Sequence, residues 1–271
     1  MSTSGTLAAD IVGVSVWGPG LEGWKTSRLI LSGAEPYLAR PSPPPPPTLL
    51  QPTERRRTGP VVRLALTVAQ EAAISSGLTP SDLRSVFGSS NGDGVVVGGI
   101  LDTLARATEG ERVVSPTGFH NSVHNAAAGY WSIATQGREP ATCLGCHDFT
   151  WAASLLTAMV DLAGDGRPVL LCCYDHPMPA PLNAARPTTD LFGAGLVLAA
   201  PGAGPRLAHL HVRYDPAPAI PTLPRNEALQ ALVAGNAIAR AIPLLEALAR
   251  GEADNQALTY LDGHLALSVH P

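Results

Sequence analysis

Lysine is nearly absent from this chain, because Lys25 is the only one among 271 residues. A phosphate-binding P-loop needs a lysine directly after a glycine-rich turn, and no such turn precedes Lys25. An enzyme that works through a Schiff base would have to use this same residue. The sequence therefore argues against nucleotide hydrolysis and against Schiff-base chemistry.

Long apolar runs and a strong net charge are missing as well. No stretch approaches the roughly 18 apolar residues that a membrane-spanning helix needs, and the formal net charge is −4. The opening residues, MSTSGTLAAD, lack the basic start of a secretory signal. We therefore expect a cytoplasmic chain with no membrane span and no nucleic-acid partner. A hydrophobic content of 45% suits one α/β core.

Cysteine is scarce, with Cys143, Cys146, Cys172 and Cys173 as the only four. The second pair is adjacent on a predicted strand and points to opposite faces, so it cannot complete a zinc site with the first pair. We expect reduced, buried, structural thiols. His120 and His124 have the spacing of a metalloprotease motif but lack its glutamate, which favours a structural or interface role and predicts no metal.

A strand, a sharp turn, a helix and a second strand are predicted between residues 142 and 174. Apolar residues recur at helical spacing from Phe149 onwards, which predicts a helix that begins there, with Asp148 as its N-cap, and ends at Gly164 to Gly166. The apolar segment from Pro168 to Tyr174 predicts a buried strand. Such a turn presents its residue at the helix N-terminus to a cleft, where the helix dipole would activate a cysteine.

This arrangement resembles the condensing enzymes of the thiolase-like superfamily. Asn125, Ala128 and Gly129 fit their Asn-x-x-Ala-Gly helix, and Pro140 fits the turn that follows it. The family's spacing places Asp148 at the position of the nucleophilic cysteine, and a carboxylate cannot form the acyl thioester. The alternative nucleophile is Cys146, which would require a reshaped turn and an activating histidine, since the adjacent His147 points away from it in an extended strand.

The resemblance covers roughly residues 7 to 212, the N-terminal half of a ketoacyl synthase. The segments that carry it are Ile11–Gly18, Glu54–Leu78, Val86–Gly94 and Asp190–Ala199. The remainder predicts one helix near Arg225–Arg250 and a strand pair near Ala257–Val269, so the second half is truncated. The resemblance implies a thiolase-like, layered α/β/α fold with a mostly parallel sheet, in which 213–271 is an extension packed on the domain formed by 1–212.

A ketoacyl-synthase-like protein without its cysteine is most similar to chain length factors, the subunits that pair with an active synthase. The segment SPTGFHNSVHNAAAGYW looks like the short variant found in aryl-polyene-type systems. This implies a chain that is not an enzyme by itself, has no cofactor, and pairs with a catalytic ketoacyl synthase served by an acyl carrier protein. We expect contact near His120 to Trp131 and Thr142 to Gly145. The candidate tunnel and interface residues are Phe119, His120, Asn121, His124, Asn125, Tyr130, Trp131, His147, Asp148 and Trp151.

A serine hydrolase is the remaining enzyme class. The segment Gly88–Gly92 matches the G-x-S-x-G pattern with Ser90 as nucleophile, and Asp175 or Asp190 with His264 would complete a triad. A helix should begin directly after that serine, but the valines and glycines that follow favour a helix poorly. We therefore interpret the segment as a glycine-rich loop.

Pro41 to Pro47 form the one low-complexity segment, which predicts stiff polyproline II structure. It is either a surface loop or a docking site, and the sequence does not decide between them. Arg55, Arg56 and Arg57 follow, and such a run is usually a solvated turn or a set of partner-facing ion pairs.

Overall fold

The computed structural model describes residues 5–108 and 113–271. In this part of the chain, nine strands form one mixed sheet. The strands are β1 (Leu7–Gly18), β2 (Leu21–Glu22), β3 (Arg84–Gly88), β4 (Ala141–Leu144), β5 (Val169–Asp175), β6 (Phe192–Ala199), β7 (Ala208–Asp215), β8 (Asp254–Tyr260) and β9 (Gly263–His270). Their order is β4-β3-β5-β6-β1-β7-β9-β8, and β2 pairs with β1.

Helices cover both sides of this sheet. They are α1 (Trp24–Leu31), α2 (Pro52–Arg55), α3 (Pro60–Ser76), α4 (Gly94–Arg106), α5 (Pro116–Ser122), α6 (Ala126–Thr135), α7 (Thr150–Asp165), α8 (Leu182–Ala185), α9 (Glu227–Gly235) and α10 (Ile242–Arg250). Short 3₁₀ turns lie at Pro80–Asp82, His147–Phe149 and Ala237–Ala241. None of the described helices is long and apolar enough to cross a membrane.

The predicted layered α/β fold is confirmed, but the expectation of a mostly parallel sheet is wrong. Parallel pairing is confined to β3 with β4 and β3 with β5. Helices α4 to α6 connect β3 to β4, and α7 connects β4 to β5, which provides the crossovers that parallel strands require. Every other described pair of neighbouring strands is antiparallel.

One core lies between the sheet and helices α3 and α6. Glycines on the sheet allow α3 to approach closely. A Cβ added at Gly193 would lie 2.7 Å from Cγ2 of Val68, and one at Gly13 would lie 2.3 Å from the carbonyl oxygen of Ala72. Helix α3 therefore lies directly on β1 and β6, which a larger residue at either glycine would prevent.

The second core lies on the opposite face, where α7 packs with the C-terminal elements. Trp151 and Met159 of α7 share it with Leu210 of β7, Leu244 of α10 and Leu265 of β9. Strand β7 runs through the predicted boundary between residues 212 and 213. The two parts are therefore packed together, and their division at that point remains a prediction.

The C-terminal part contains the predicted strand pair, as β8 and β9, but two helices instead of one. Helix α9 ends at Gly235, and the side chain of Asn236 then accepts a hydrogen bond from the backbone of Ile238. Pro243 occupies the first turn of α10. A proline there begins a helix and cannot continue one, so the apolar periodicity spans two separate elements.

The proline-rich segment runs along β1 and β2 without regular secondary structure. Trp17 Nε1 donates to the carbonyl of Ser42 at 2.8 Å, and the backbone N–H of Gly20 donates to Ser42 Oγ at 3.0 Å. Ser42 Oγ donates in turn to Glu22 Oε1 at 2.9 Å. The segment is therefore held against the sheet at Ser42, while Pro43, Pro45 and Pro46 are exposed.

Candidate functional site

The turn between β4 and α7, residues 145–149, forms the predicted sharp turn and is called the elbow below. His147 lies at its tip with a φ of 52°, in the left-handed region that side chains other than glycine seldom adopt. The His147 side chain is 72% exposed. A left-handed residue between a strand and a helix indicates that the surrounding structure imposes the shape of the turn.

The expectation that Asp148 caps the helix is wrong. Helix α7 begins at Thr150, and Asp148 lies inside the preceding 3₁₀ turn. Thr150 closes the elbow, because its Oγ1 accepts from the backbone N–H of Cys146 at 3.0 Å and donates to the carbonyl of His147 at 2.7 Å. The extra 3₁₀ turn moves the start of the helix past the position that apolar spacing predicts.

Two arginines instead bind the Asp148 carboxylate. Arg186 Nη2 lies 3.0 Å from Oδ1, and Arg240 Nη2 lies 3.7 Å from Oδ2. Arg240 Nη1 also donates to the Asp148 carbonyl, and His147 Nδ1 lies 3.5 Å from Oδ1. Sequence reasoning missed both arginines, since they are 38 and 92 positions away and belong to no motif.

Asp175 supports the elbow from below. It lies buried at the end of β5, and its Oδ1 accepts from Ser89 Oγ and Ser90 N, both at 2.8 Å, and from Asn91 N at 3.1 Å. Burial raises the pKa of this carboxyl, while these hydrogen bonds oppose the rise. Ser90 Oγ then donates to the carbonyl of His147 at 2.9 Å. The network therefore fixes the backbone of the elbow.

The hydrolase hypothesis finds Asp175 beside Ser90, but His264 does not complete the triad. Asp175 binds Ser90 through its backbone N–H, and Ser90 Oγ faces the elbow. His264 lies on β9, where its Nδ1 is 2.9 Å from the carbonyl of Ala217. A helix does follow the loop, contrary to expectation, because the Asp93 side chain caps α4 by accepting from the backbone N–H of Val96.

The four cysteines divide into two pairs. Cys172 and Cys173 are buried in β5, and burial raises the pKa of Cys173 to about 12 and that of Cys172 well above its usual value. Cys143 and Cys146 are only partly buried. In the described part of the chain, no histidine ring hydrogen-bonds to Cys146, and no three His, Cys, Asp or Glu residues form a group suited to a metal ion. Cys146 as a nucleophile remains a prediction.

The bulky tunnel candidates differ in exposure. Tyr130, Trp131 and Trp151 are 2%, 3% and 1% exposed, so they belong to the two cores, whereas Phe119 on α5 is 66% exposed. Asn121 is also buried, where it accepts from the Tyr130 hydroxyl at 3.1 Å. The ring of His120 packs edge-on against Tyr130, with centroids 6.1 Å apart.

The stretch between α5 and α6 reaches the elbow through His124. Its Nε2 lies 3.0 Å from the carbonyl oxygen of Ser89, and a Cβ added at Gly145 would lie 3.1 Å from the same nitrogen. Asn125 is exposed at the start of α6 and makes no side-chain cap. Of the predicted site residues, His124, His147 and Asp148 therefore converge on the elbow, with Ser89 and Ser90 beside them.

One surface of the molecule combines apolar exposure with an unpaired strand, and it is called the open face below. It consists of α4, α5, the outer side of α6 and β4, the terminal strand of the sheet. Only Gly94 of α4 is buried, although this helix is rich in valine and leucine. The large exposed apolar residues of the open face are Val95, Leu101, Phe119, Val123 and Ile133. Surfaces of this kind commonly bind another protein.

Two clefts adjoin these features. The larger, of about 540 Å³, lies between α4 and Pro179–Leu182. The smaller, of about 220 Å³, lies beside the elbow and is lined by polar groups that include His147, Arg186, Asn236 and Arg240. The elbow cleft is thus lined by cations around one carboxylate, and it presents no free thiol.

Comparison with known proteins agrees with this geometry. Residues 32–253 match the family described as "Beta-ketoacyl synthase, N-terminal domain". Curated protein sequences give no match. Among solved structures, one similar chain belongs to the ketosynthase ApeO in complex with its chain length factor ApeC from Xenorhabdus doucetiae, with a TM-score of 0.70 and 20% identity over 98% of this chain and 100% of that chain.

Two further structures show how far the similarity extends. The ishigamide ketosynthase/chain length factor gives a TM-score of 0.70 at 15% identity, covering 97% of this chain and 98% of that chain. A beta-ketoacyl synthase from Burkholderia phymatum STM815 gives 0.59 at 14% identity, covering 86% of this chain but only 70% of its own. At these identities the likeness establishes the fold.

Proposed function

Because this chain belongs to the beta-ketoacyl synthase N-terminal domain family, we propose that it is a chain-length-factor type subunit that performs no condensation itself. The observation that carries this proposal is the occupant of the elbow. Condensation requires a thiolate there. This elbow instead presents His147 and an Asp148 carboxylate bound by Arg186 and Arg240.

The partner is a catalytic ketosynthase, which receives its acyl groups from an acyl carrier protein. The open face supports this assignment, because α4 leaves its apolar side chains unburied and β4 has an unpaired edge. The opposite edge of the sheet is different: Thr222 N donates to the Ala257 carbonyl and Ala257 N donates to Thr222 Oγ1, both at 2.9 Å. Within the described residues, β4 is thus the edge that is more open to a second chain.

The subunit would limit the length of the product through the shape of its surface. A wall contributed by the open face bounds the space into which the partner's acyl chain grows, so side-chain volume on this face sets the length of the product. Phe119 is the bulky candidate that reaches the surface, since Tyr130, Trp131 and Trp151 are committed to the cores. We further propose that the pair works in the cytoplasm and that residues 213–271 serve as a packed extension of the first 212.

Co-expression with a catalytic ketosynthase of the same organism tests the assignment. We expect a heterodimer by size-exclusion chromatography with light scattering, and condensation of carrier-bound acyl groups that persists with Cys146→Ser. Loss of condensation in that variant, with assembly intact, would show that this chain supplies the nucleophile. Failure to associate with any catalytic ketosynthase of that organism would rule out the pairing.

Product length tests the role of Phe119. We expect Phe119→Ala to lengthen the products of the heterodimer and Phe119→Trp to shorten them, as read by mass spectrometry. Leu38→Ala is the matched control, because Leu38 is a similarly exposed apolar residue, at 71%, in the proline-rich region. An unchanged distribution of product lengths in both Phe119 variants would show that Phe119 does not bound the acyl chain.

A further inference from the structure

Arg240 lines two clefts, one mainly polar and the other mainly apolar. On one side it lines the polar elbow cleft. On the other it lines a second cleft of about 420 Å³ between α9 and β8, called the side cleft below. The apolar residues that line the side cleft are Pro221, Leu223, Val233, Ala234, Ala257 and Leu258. A cation thus belongs to the lining of a largely apolar recess.

The charge of Arg240 is not fully compensated. Arg186 and Arg240 share the single carboxylate of Asp148. Each guanidinium has five N–H donors, and Arg240 places only Nη1 and Nη2 on Asp148. The Arg240 side chain is 28% exposed, so it is partly shielded from water while keeping donors for an additional anion.

Apolar side chains at the side cleft are also exposed. Leu223 in its lining is 52% exposed, and Ile220, next to Pro221 of the lining, is 91% exposed. Contiguous exposed apolar surface of this kind is found at ligand-binding grooves. The volume of the side cleft also lies in the range of small-molecule sites, which is about 300–1,000 Å³.

We propose that the side cleft binds a single-chain amphiphile with a carboxylate head, such as a medium-chain fatty acid. The carboxylate pairs with Arg240, and the alkyl tail lies against Leu223, Val233 and Leu258. Binding is noncovalent. The site lies next to β8, at the other end of the strand order from β4.

Isothermal titration of the full chain with decanoate tests this site. We expect saturable binding at one site, with octanoate about fifteenfold weaker, because it lacks two methylenes and each buried methylene contributes a factor of about four. Decanamide, which has the same tail without the charge, should bind at least tenfold more weakly than decanoate. Equal affinity for decanamide and decanoate would overturn the role of Arg240, and absence of saturable decanoate binding would overturn the site.

Two variants test the binding of the carboxylate head and of the alkyl tail separately. Arg240→Gln should weaken decanoate at least tenfold by removing the cation. Val233→Phe should do the same by filling the recess while leaving the contacts of Arg240 in place. Arg213→Gln and Val160→Phe are matched controls that change a partly exposed arginine and an exposed valine elsewhere, and both should bind normally. Wild-type affinity in both test variants, with unchanged melting temperatures, would refute the proposal.

Discussion

Asp148 illustrates what sequence can and cannot establish for a single residue. Family spacing predicted this position as that of the nucleophile, and the structure places it in the elbow. The helical stripe that begins at Phe149 suggested an N-cap, because spacing alone does not reveal a 3₁₀ turn before a helix. Its arginine partners come from distant elements, so only the folded chain identifies them.

Replacing Asp148 with alanine should therefore act through its ion pairs. The carboxylate and both guanidinium groups are partly exposed, so we expect the free energy of unfolding to fall by about 1 kcal/mol in urea titrations. Asp102→Ala removes a carboxylate that pairs with Arg106 in a more exposed setting, and it should cost less than about 0.5 kcal/mol. Equal losses of unfolding free energy in the two variants would show that the ion pairs with Arg186 and Arg240 stabilise the fold no more than an exposed ion pair does.

Glu71 gives a prediction about pH. Its Oε1 accepts from the backbone N–H of Trp24 at 2.5 Å, and burial raises its pKa to about 6. Because the folded protein binds this proton more tightly than the unfolded chain does, Glu71 contributes stability below about pH 4.5, and that contribution disappears as pH rises through about 6.

The measurement compares wild type with Glu71→Gln. Between pH 4.5 and pH 6.5, the stability of wild type relative to the variant should fall by about 1.5 kcal/mol. Exposed Glu35 provides the control, and Glu35→Gln should follow wild type throughout. A constant difference between wild type and Glu71→Gln across this range would mean that the pKa of Glu71 is not raised.

At the level of elements, the sequence predicted best where periodicity and stop signals agree. Helix α7 ends where glycines predicted it to end, with Gly166 in the left-handed conformation. Helix α4 escaped prediction, because valine and glycine have low helix propensity and the Asp93 cap outweighs them. The single predicted C-terminal helix became two, since apolar spacing continues across Asn236 while the backbone does not.

The proline-rich segment yields a prediction at this scale. Ser42 is 3% exposed, and its Oγ accepts from the Gly20 N–H and donates to Glu22. Ser42→Ala removes both hydrogen bonds, although the Gly20 N–H keeps the Arg40 carbonyl at 3.0 Å as a second acceptor. We therefore expect a loss of about 1 kcal/mol in unfolding free energy. Ser32→Ala removes an exposed hydroxyl that bonds only to Leu29, and it should not change the unfolding free energy measurably.

For the whole molecule, the order of motifs along the chain was enough to predict the layered fold. It was not enough to predict which surfaces stay open, because α4, α5, α6 and β4 become neighbours only through packing. The antiparallel part of the sheet was missed for a similar reason. A strand buried on both faces, such as β5 or β6, reads as a continuous apolar run. Its sequence therefore does not reveal whether its neighbours run parallel or antiparallel to it.

The edge strand β4 can be tested with one proline. Pro140 and Leu144 accept hydrogen bonds from β3, so the backbone of Ala141 points away from the sheet. Ala141→Pro should therefore leave the monomer folded by circular dichroism but abolish association with the ketosynthase. Ala219→Pro, in an exposed loop, serves as the control. Normal assembly of the Ala141→Pro variant would show that the interface with the ketosynthase does not include this edge.

The contacts between Thr222 and Ala257 also limit how many copies can join. A sheet that accepts neighbours on both flanks can grow into a filament, whereas one with a single accepting flank stops after its first addition. In this chain the β8 flank is covered at Ala257 by the chain's own loop. That cover opposes strand addition at β8, so association through β4 favours a closed pair over a growing filament.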